Sequence, residues 1–175
     1  NVANMNVSTL GGSNGFQIVG AAAGDTAGYS VSGAGDVNGD GFGDVIVGAP
    51  LANTTNGQTG AAYVVFGHAG GFGTAGDGAG VVNLAHLTQT QGFEITGAAA
   101  DDWTGAKVAA AGDMNGDGIG DLIIGTATPG GNQPSATAYV VFGTASGFGT
   151  VDVSTLNGTN GFTLIGAGTG PRTTG

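Results

Sequence analysis

The chain has 175 residues, 40 of them glycine, with 40% hydrophobic and 8% charged residues and a formal net charge of −10. Lys107 and Arg172 are its only cationic side chains apart from histidine, which excludes the clustered positive charge that nucleic acid or an anionic membrane requires. No cysteine is present, so disulfides, thiolate metal sites and thiol nucleophiles are excluded, and no apolar run is long enough to span a bilayer.

Glycine and proline together make up about a quarter of the chain, a level at which disorder must be considered. The large hydrophobic share and the fixed recurrence of the glycines argue for a folded chain instead. The start, Asn1-Val2-Ala3-Asn4, has neither a charged nor an apolar leader region, so no signal peptide is expected. If the protein is exported, this chain is a mature form or an excised piece.

Internal repetition organises the chain. Asn6-Val7-Ser8-Thr9-Leu10 recurs as Asn83-Leu84-Ala85-His86-Leu87 and as Asp152-Val153-Ser154-Thr155-Leu156. Each copy leads into a Phe-x-(Ile/Leu)-x-Gly strand, at 16–20, 93–97 and 162–166. A turn comes next, Gly24-Asp25-Thr26-Ala27-Gly28, matched by Asp101-Asp102-Trp103-Thr104-Gly105. The strand after it, Tyr29 to Gly35, matches Ala106 to Gly112 and is built of small residues, which suits a place where backbones approach closely.

Then comes Asp36-Val37-Asn38-Gly39-Asp40-Gly41-Phe42-Gly43-Asp44, followed by the apolar run Val45-Ile46-Val47. It recurs 77 residues later as Asp113-Met114-Asn115-Gly116-Asp117-Gly118-Ile119-Gly120-Asp121, before Leu122-Ile123-Ile124. Six of the twelve acids lie in these two loops. Ala61 to Gly67 and Thr137 to Gly143 supply a further strand that is apolar on successive residues, so both of its faces should be covered. No segment reads as a helix. Four short strands per repeat, apolar on both sides, describe a propeller blade, with a sandwich as the alternative.

The Asp loops have the chemistry of a calcium site. Calcium takes six to eight hard oxygen ligands. Asp36, Asn38, Asp40 and Asp44 offer side-chain oxygens and Phe42 its backbone carbonyl; Asp113, Asn115, Asp117, Asp121 and Ile119 do the same in the second loop. Two Ca2+ sites are therefore expected. The loop differs from an EF-hand, because Val47 and Ile124 occupy the position that needs a bidentate Glu and strands flank it. Against this stands the plain reading that Asp, Asn and Gly make a good turn.

Phe66-Gly67, Phe142-Gly143 and Gly48-Ala49-Pro50, with the Asp loop between strands, resemble FG-GAP repeats. These build the propeller of integrin α chains and occur in bacterial surface proteins. The second copy departs from the pattern at Gly125-Thr126-Ala127. The resemblance implies a blade order of inner strand, Asp loop, second strand, Tyr-Val-Val-Phe strand and outer Phe-x-Ile-x-Gly strand. It also implies an extracellular or cell-surface role in adhesion or protein–protein contact.

The expected fold is all-β: about two four-stranded antiparallel blades plus one extra outer strand, in an incomplete ring. Residues 1–27 would hold an outer strand of a preceding blade, 28–97 the first blade, and 98–175 the second blade and a tail. Exposed blade faces suggest homo-oligomers. Trp103 is a candidate ligand anchor for a lectin-like alternative. Accessory repeats of a calcium-dependent hydrolase are another alternative, though no catalytic set is present. His86 reads as a tolerated surface residue, and Asp25 and Asp102 as turn formers.

Overall fold

The computed structural model describes residues 7–127 and 137–166. No α-helix occurs among them, and their sheets do not close into a barrel. In chain order the strands are β1 (Gln17–Val19), β2 (Ser30–Gly35), β3 (Asp44–Ala49), β4 (Ala61–Val65), β5 (Val81–Asn83), β6 (Gly92–Thr96), β7 (Lys107–Gly112), β8 (Asp121–Gly125), β9 (Thr137–Val141), β10 (Val151–Asp152) and β11 (Gly161–Ile165).

Two blades result. In the first, β2, β3, β4 and β6 lie side by side and antiparallel. In the second, β7, β8, β9 and β11 repeat that order. This is the strand order that the FG-GAP resemblance implies, with the Asp loop between the first and second strands of each blade. Both inner strands carry a bulge just before the loop, at Gly33/Gly35 and Ala110/Gly112. Gly35 and Gly112 sit there at φ 79 and 75, a left-handed conformation that glycine reaches at no steric cost.

Two further strands were not expected from the sequence. β5 pairs in parallel with β1, and β10 pairs in parallel with β6. Each of them precedes a short 3-10 turn, Leu84–His86 or Val153–Thr155, in which a side chain caps the turn: Asn83 Oδ1 accepts from Ala85 N at 3.0 Å, and Asp152 Oδ1 from Ser154 N at 2.8 Å. So the segment leading into each outer strand reaches back to the outer strand of the preceding repeat.

Side-chain alternation along the strands divides the interior into two cores. Ile46, Ala62, Val64, Phe93 and Ile95 face the second blade and pack with Leu122, Ile124, Tyr139 and Val141. Val47, Ala49, Ala61, Tyr63 and Val65 point the other way and are covered by Phe16, Ile18, Val82 and Leu84. β4 is buried along its whole length, as its unbroken apolar pattern requires. Aromatic stacking obeys the same rule: Phe72 lies on Phe16 with centroids 4.1 Å apart, and Phe148 on Phe93 at 3.9 Å.

Between the blades the backbones themselves touch. Val108 N donates to Ser30 Oγ at 3.1 Å, between the two inner strands of small residues. A Cβ on Gly48 would overlap the carbonyl oxygen of Gly105, and one on Gly105 the carbonyl of Ala61. Gly125, the counterpart of Gly48, would meet only the Lys107 side chain, at 3.4 Å, and its backbone at 3.8 Å. The contrast yields a matched test. Gly48→Ala should lower stability by about 1–3 kcal/mol or more, as overpacking does, while Gly125→Ala should stay within about 0.5 kcal/mol. Denaturant midpoints of the two variants read this directly; equal effects would contradict the blade contact.

Candidate functional site

Each Asp loop folds around its own carboxylates. Asp36 Oδ1 accepts from the amides of Gly39 (2.7 Å) and Asp40 (3.1 Å), and Oδ2 from Gly41 (2.8 Å). Asn38 Oδ1 accepts from Asp40 N at 3.0 Å, and Asp40 Oδ1 from Phe42 N at 2.8 Å. The second loop repeats every bond: Asp113 takes the amides of Gly116, Asp117 and Gly118, Asn115 that of Asp117, and Asp117 that of Ile119. The Asn side chain of each loop also donates to the middle carboxylate, at 2.9 Å in both. A nine-residue turn thus presents two carboxylates and an amide oxygen at an exposed rim. Among the described residues, no three His, Cys, Asp or Glu side chains are drawn together closely enough to hold a metal ion as they stand.

The last aspartate of each loop has a different environment. Asp44 is 3% exposed and Asp121 0%. Asp44 Oδ2 accepts from Val37 N at 2.9 Å and Oδ1 from Gly67 N at 2.8 Å. Asp121 accepts from Met114 N at 2.7 Å and Gly143 N at 2.9 Å. The Phe-Gly after the third strand is thereby joined to the start of the second. Burial pushes the Asp44 carboxyl above the usual carboxylate range, against the two amides, and the charges of Asp40 and Asp36 push in the same direction. Each of its oxygens keeps a second lone pair beyond the amide it accepts.

The first loop also reaches the second blade. Gly120 N donates to Asp36 O at 2.8 Å, and Thr144 N to Val37 O at 2.9 Å. Val37 is fully buried as a result, whereas its counterpart Met114 is 52% exposed.

Beside the second loop lies a cavity of about 360 Å³ lined by Asn115, Asp117, Thr144, Phe148 and Asn160, among others. The corresponding hollow of the first repeat is only about 10 Å³. There His68 stands where the second repeat has Thr144, and its ring lies 4.3 Å from Phe72.

Trp103 is half-buried in a left-handed turn at φ 50, and Thr26 holds the same place in the first repeat at φ 58. The turn geometry is therefore what repeats, not the indole. Asp25 and Asp102 accept turn amides, from Ala22 and Ala27 and from Ala99 respectively, as turn formers do. His86 is not an isolated surface residue: its Nδ1 lies 2.7 Å from Asp77 Oδ2. Asp77 also accepts from Thr74 (2.7 Å) and Asn83 (3.0 Å), and the bonds from His86, Thr74 and Asn83 lower its carboxyl to about 2. Asp77 belongs to a stretch between the Gly-Phe-Gly and β5 for which the second repeat has no equivalent length, so the repeat comparison could not reveal this cluster.

Comparison with known proteins agrees with this geometry. Residues 27–65 match the FG-GAP repeat. The matched span runs from the turn before β2 through the first Asp loop to the end of β4. The chain is also similar to integrin alpha-2 of Bos taurus, with 32% identity over 98 residues. That stretch is 56% of this chain and 7% of the relative, so the chain spans a small part of that protein's length.

The environments of these carboxylates set two measurable outcomes. In EGTA, Asp44→Ala strands two buried amides and should cost about 1–3 kcal/mol for each, while Asp40→Ala, which frees only the exposed Phe42 N–H and the exposed Asn38 side-chain amide, should cost under about 1 kcal/mol; urea unfolding separates the two. For Asp77 the folded pKa lies below the unfolded one. Its contribution is therefore present above the ordinary carboxylate range and fades as the pH falls toward 2. A carbonyl-detected NMR titration should place Asp77 near 2 in the parent chain and higher in His86→Ala; an unchanged value would show that His86 does not hold it.

Proposed function

We propose that the chain is a calcium-stapled, non-enzymatic FG-GAP module of a secreted or cell-surface protein, acting in adhesion or protein–protein contact. The observation that carries the reading is the duplicated loop. Two nine-residue segments with the same oxygen donors adopt the same hydrogen-bond set. The donors are carboxylates, an amide oxygen and backbone carbonyls, all hard oxygens of the kind calcium selects; nothing in the set favours a soft metal.

Asp36, Asn38, Asp40 and the Phe42 carbonyl would hold the ion in the first loop, and Asp113, Asn115, Asp117 and the Ile119 carbonyl in the second. Asp44 and Asp121 would approach it from the buried side through their remaining lone pairs. A bound divalent cation supplies positive charge among carboxylates that otherwise repel one another. Two observations support the outward-facing role: the family match and the integrin relative. No helix of the described residues is long and apolar enough to cross a membrane. The sugar-binding alternative rests on Trp103, and its shared turn geometry with Thr26 supports turn-making instead.

A ligand that binds only the folded state stabilises it by mass action, about 2.7 kcal/mol per site at a hundredfold excess over Kd. Thermal melts should therefore rise by several degrees in calcium relative to EGTA. Asp36→Ala or Asp113→Ala should remove part of the rise, and the double variant nearly all of it. A melt insensitive to calcium in the parent chain would end the proposal.

A further inference from the structure

Tyr63 and Glu94 stand opposite each other across β4 and β6. The Tyr63 hydroxyl donates to Glu94 Oε1 at 3.1 Å. Tyr63 is 5% exposed, and burial, with the Glu94 charge beside it, holds its phenol above the ordinary range. It therefore stays protonated and fixes the carboxylate as a donor. Glu94 itself is half-buried. Among the described residues only Tyr63 donates to its carboxylate, and the one ion pair lies elsewhere, between His86 and Asp77. Glu94 thus keeps a free oxygen and has no counter-ion.

The fold does not call for this carboxylate. In the second blade Tyr139 holds the tyrosine's place and Thr163 stands opposite it, and in β1 the same place is held by Gln17. The second blade reaches the same strand order without the acid. A partly buried charge with no counter-ion costs free energy, so stability alone does not account for Glu94. The residue borders a cavity of about 210 Å³ at the outer edge of the first blade. Tyr63, Leu84, Leu87, Gln89 and, from the following repeat, Thr150 also line it. The cavity is smaller than the roughly 300–1,000 Å³ of pockets that enclose whole small-molecule ligands, and it suits the end of one long side chain.

We propose that this cavity takes the cationic end of an arginine or lysine side chain presented by a partner protein, with Glu94 as its counter-ion. The free oxygen of Glu94 accepts a charge-assisted hydrogen bond from the guanidinium or ammonium group. Leu84 and Leu87 offer apolar surface to the methylene stem, which such side chains bury while the charged end stays solvated or paired. Tyr63 is a positioning residue that holds the carboxylate in place. The net charge of −10 draws a cation toward the chain as a whole, and Glu94 gives it a place to dock. The site shares no residue with the Asp loops, so a measurement in EGTA tests it apart from the calcium reading.

The experiment is an NMR titration of the isotope-labelled chain in EGTA. The probes are N-acetylarginine amide and N-acetyllysine amide, with N-acetylcitrulline amide as the neutral isostere and methylguanidinium as the charge without a stem. The two cationic amides should shift the backbone signals of Ala85, Glu94 and Thr150 saturably. The citrulline amide and methylguanidinium should each bind at least about tenfold more weakly. Glu94→Gln keeps the size of the side chain and an acceptor for Tyr63. Its urea midpoint should therefore match the parent's, while its affinity for both cationic amides falls at least about tenfold. Shifts confined to the Asp loops, citrulline or methylguanidinium binding as tightly as the arginine amide, or binding undiminished in Glu94→Gln would each overturn the proposal.

Discussion

A carboxylate with both oxygens on buried backbone amides is the constraint on which each blade depends. Asp44 joins the start of its loop, through Val37 N, to the end of β4, through Gly67 N. Asp121 joins Met114 N to Gly143 N in the same way. An unpaired buried amide is expensive, and a buried carboxylate more so unless it is satisfied. Each group answers the other's need, and both ends of the Asp loop are held at one point with the Phe-Gly that follows the third strand. The Phe-Gly signature gains a physical meaning here. Glycine follows the phenylalanine because a Cβ on Gly67 would overlap the carbonyl of Gly43, and one on Gly143 that of Gly120.

The same scarcity of space governs the contact between blades. Gly48 lies against the Gly105 carbonyl; the second blade keeps glycine at that place, Gly125, and departs after it, with Thr126-Ala127 where the first has Ala49-Pro50. The tripeptide is retained where another blade lies behind it and altered where the described structure places none. Ser30, with its hydroxyl accepting from Val108 N, shows that the small inner strands are chosen for approach and not for weak packing.

Much of this was legible in the sequence. The repeats revealed the blades because the chain repeats its turn residues and its apolar phase together. The Asp loop was recognisable from ligand-type residues at alternate positions. The parallel strands β5 and β10 were not, because two or three residues cannot display a period, and their donors look like loop. The inward orientation of Asp44 was hidden for another reason: nothing in its spacing from Asp36 and Asp40 distinguishes an oxygen aimed at an ion from one aimed at Gly67 N. The Asp77–His86 pair was invisible because it joins a segment peculiar to one repeat to a position where the other repeats have Thr9 and Thr155.

These separate facts meet in the first loop. Its Asp and Asn oxygens accept from its own amides, and its last aspartate ties β3 to the end of β4. Two of its carbonyls, those of Asp36 and Val37, accept bonds from Gly120 and Thr144 of the next blade. Anything that orders the loop therefore orders the junction between blades as well. The second loop has the same interior but no described neighbour on its carbonyls, and Met114 is exposed where Val37 is buried. Gly120 belongs to the second loop, so the two loops meet at this junction, and an ion at either would bear on it. The two loops share one hydrogen-bond set, and what distinguishes them is what covers each: the next blade's amides on the first loop's carbonyls, and no described blade over Met114 of the second.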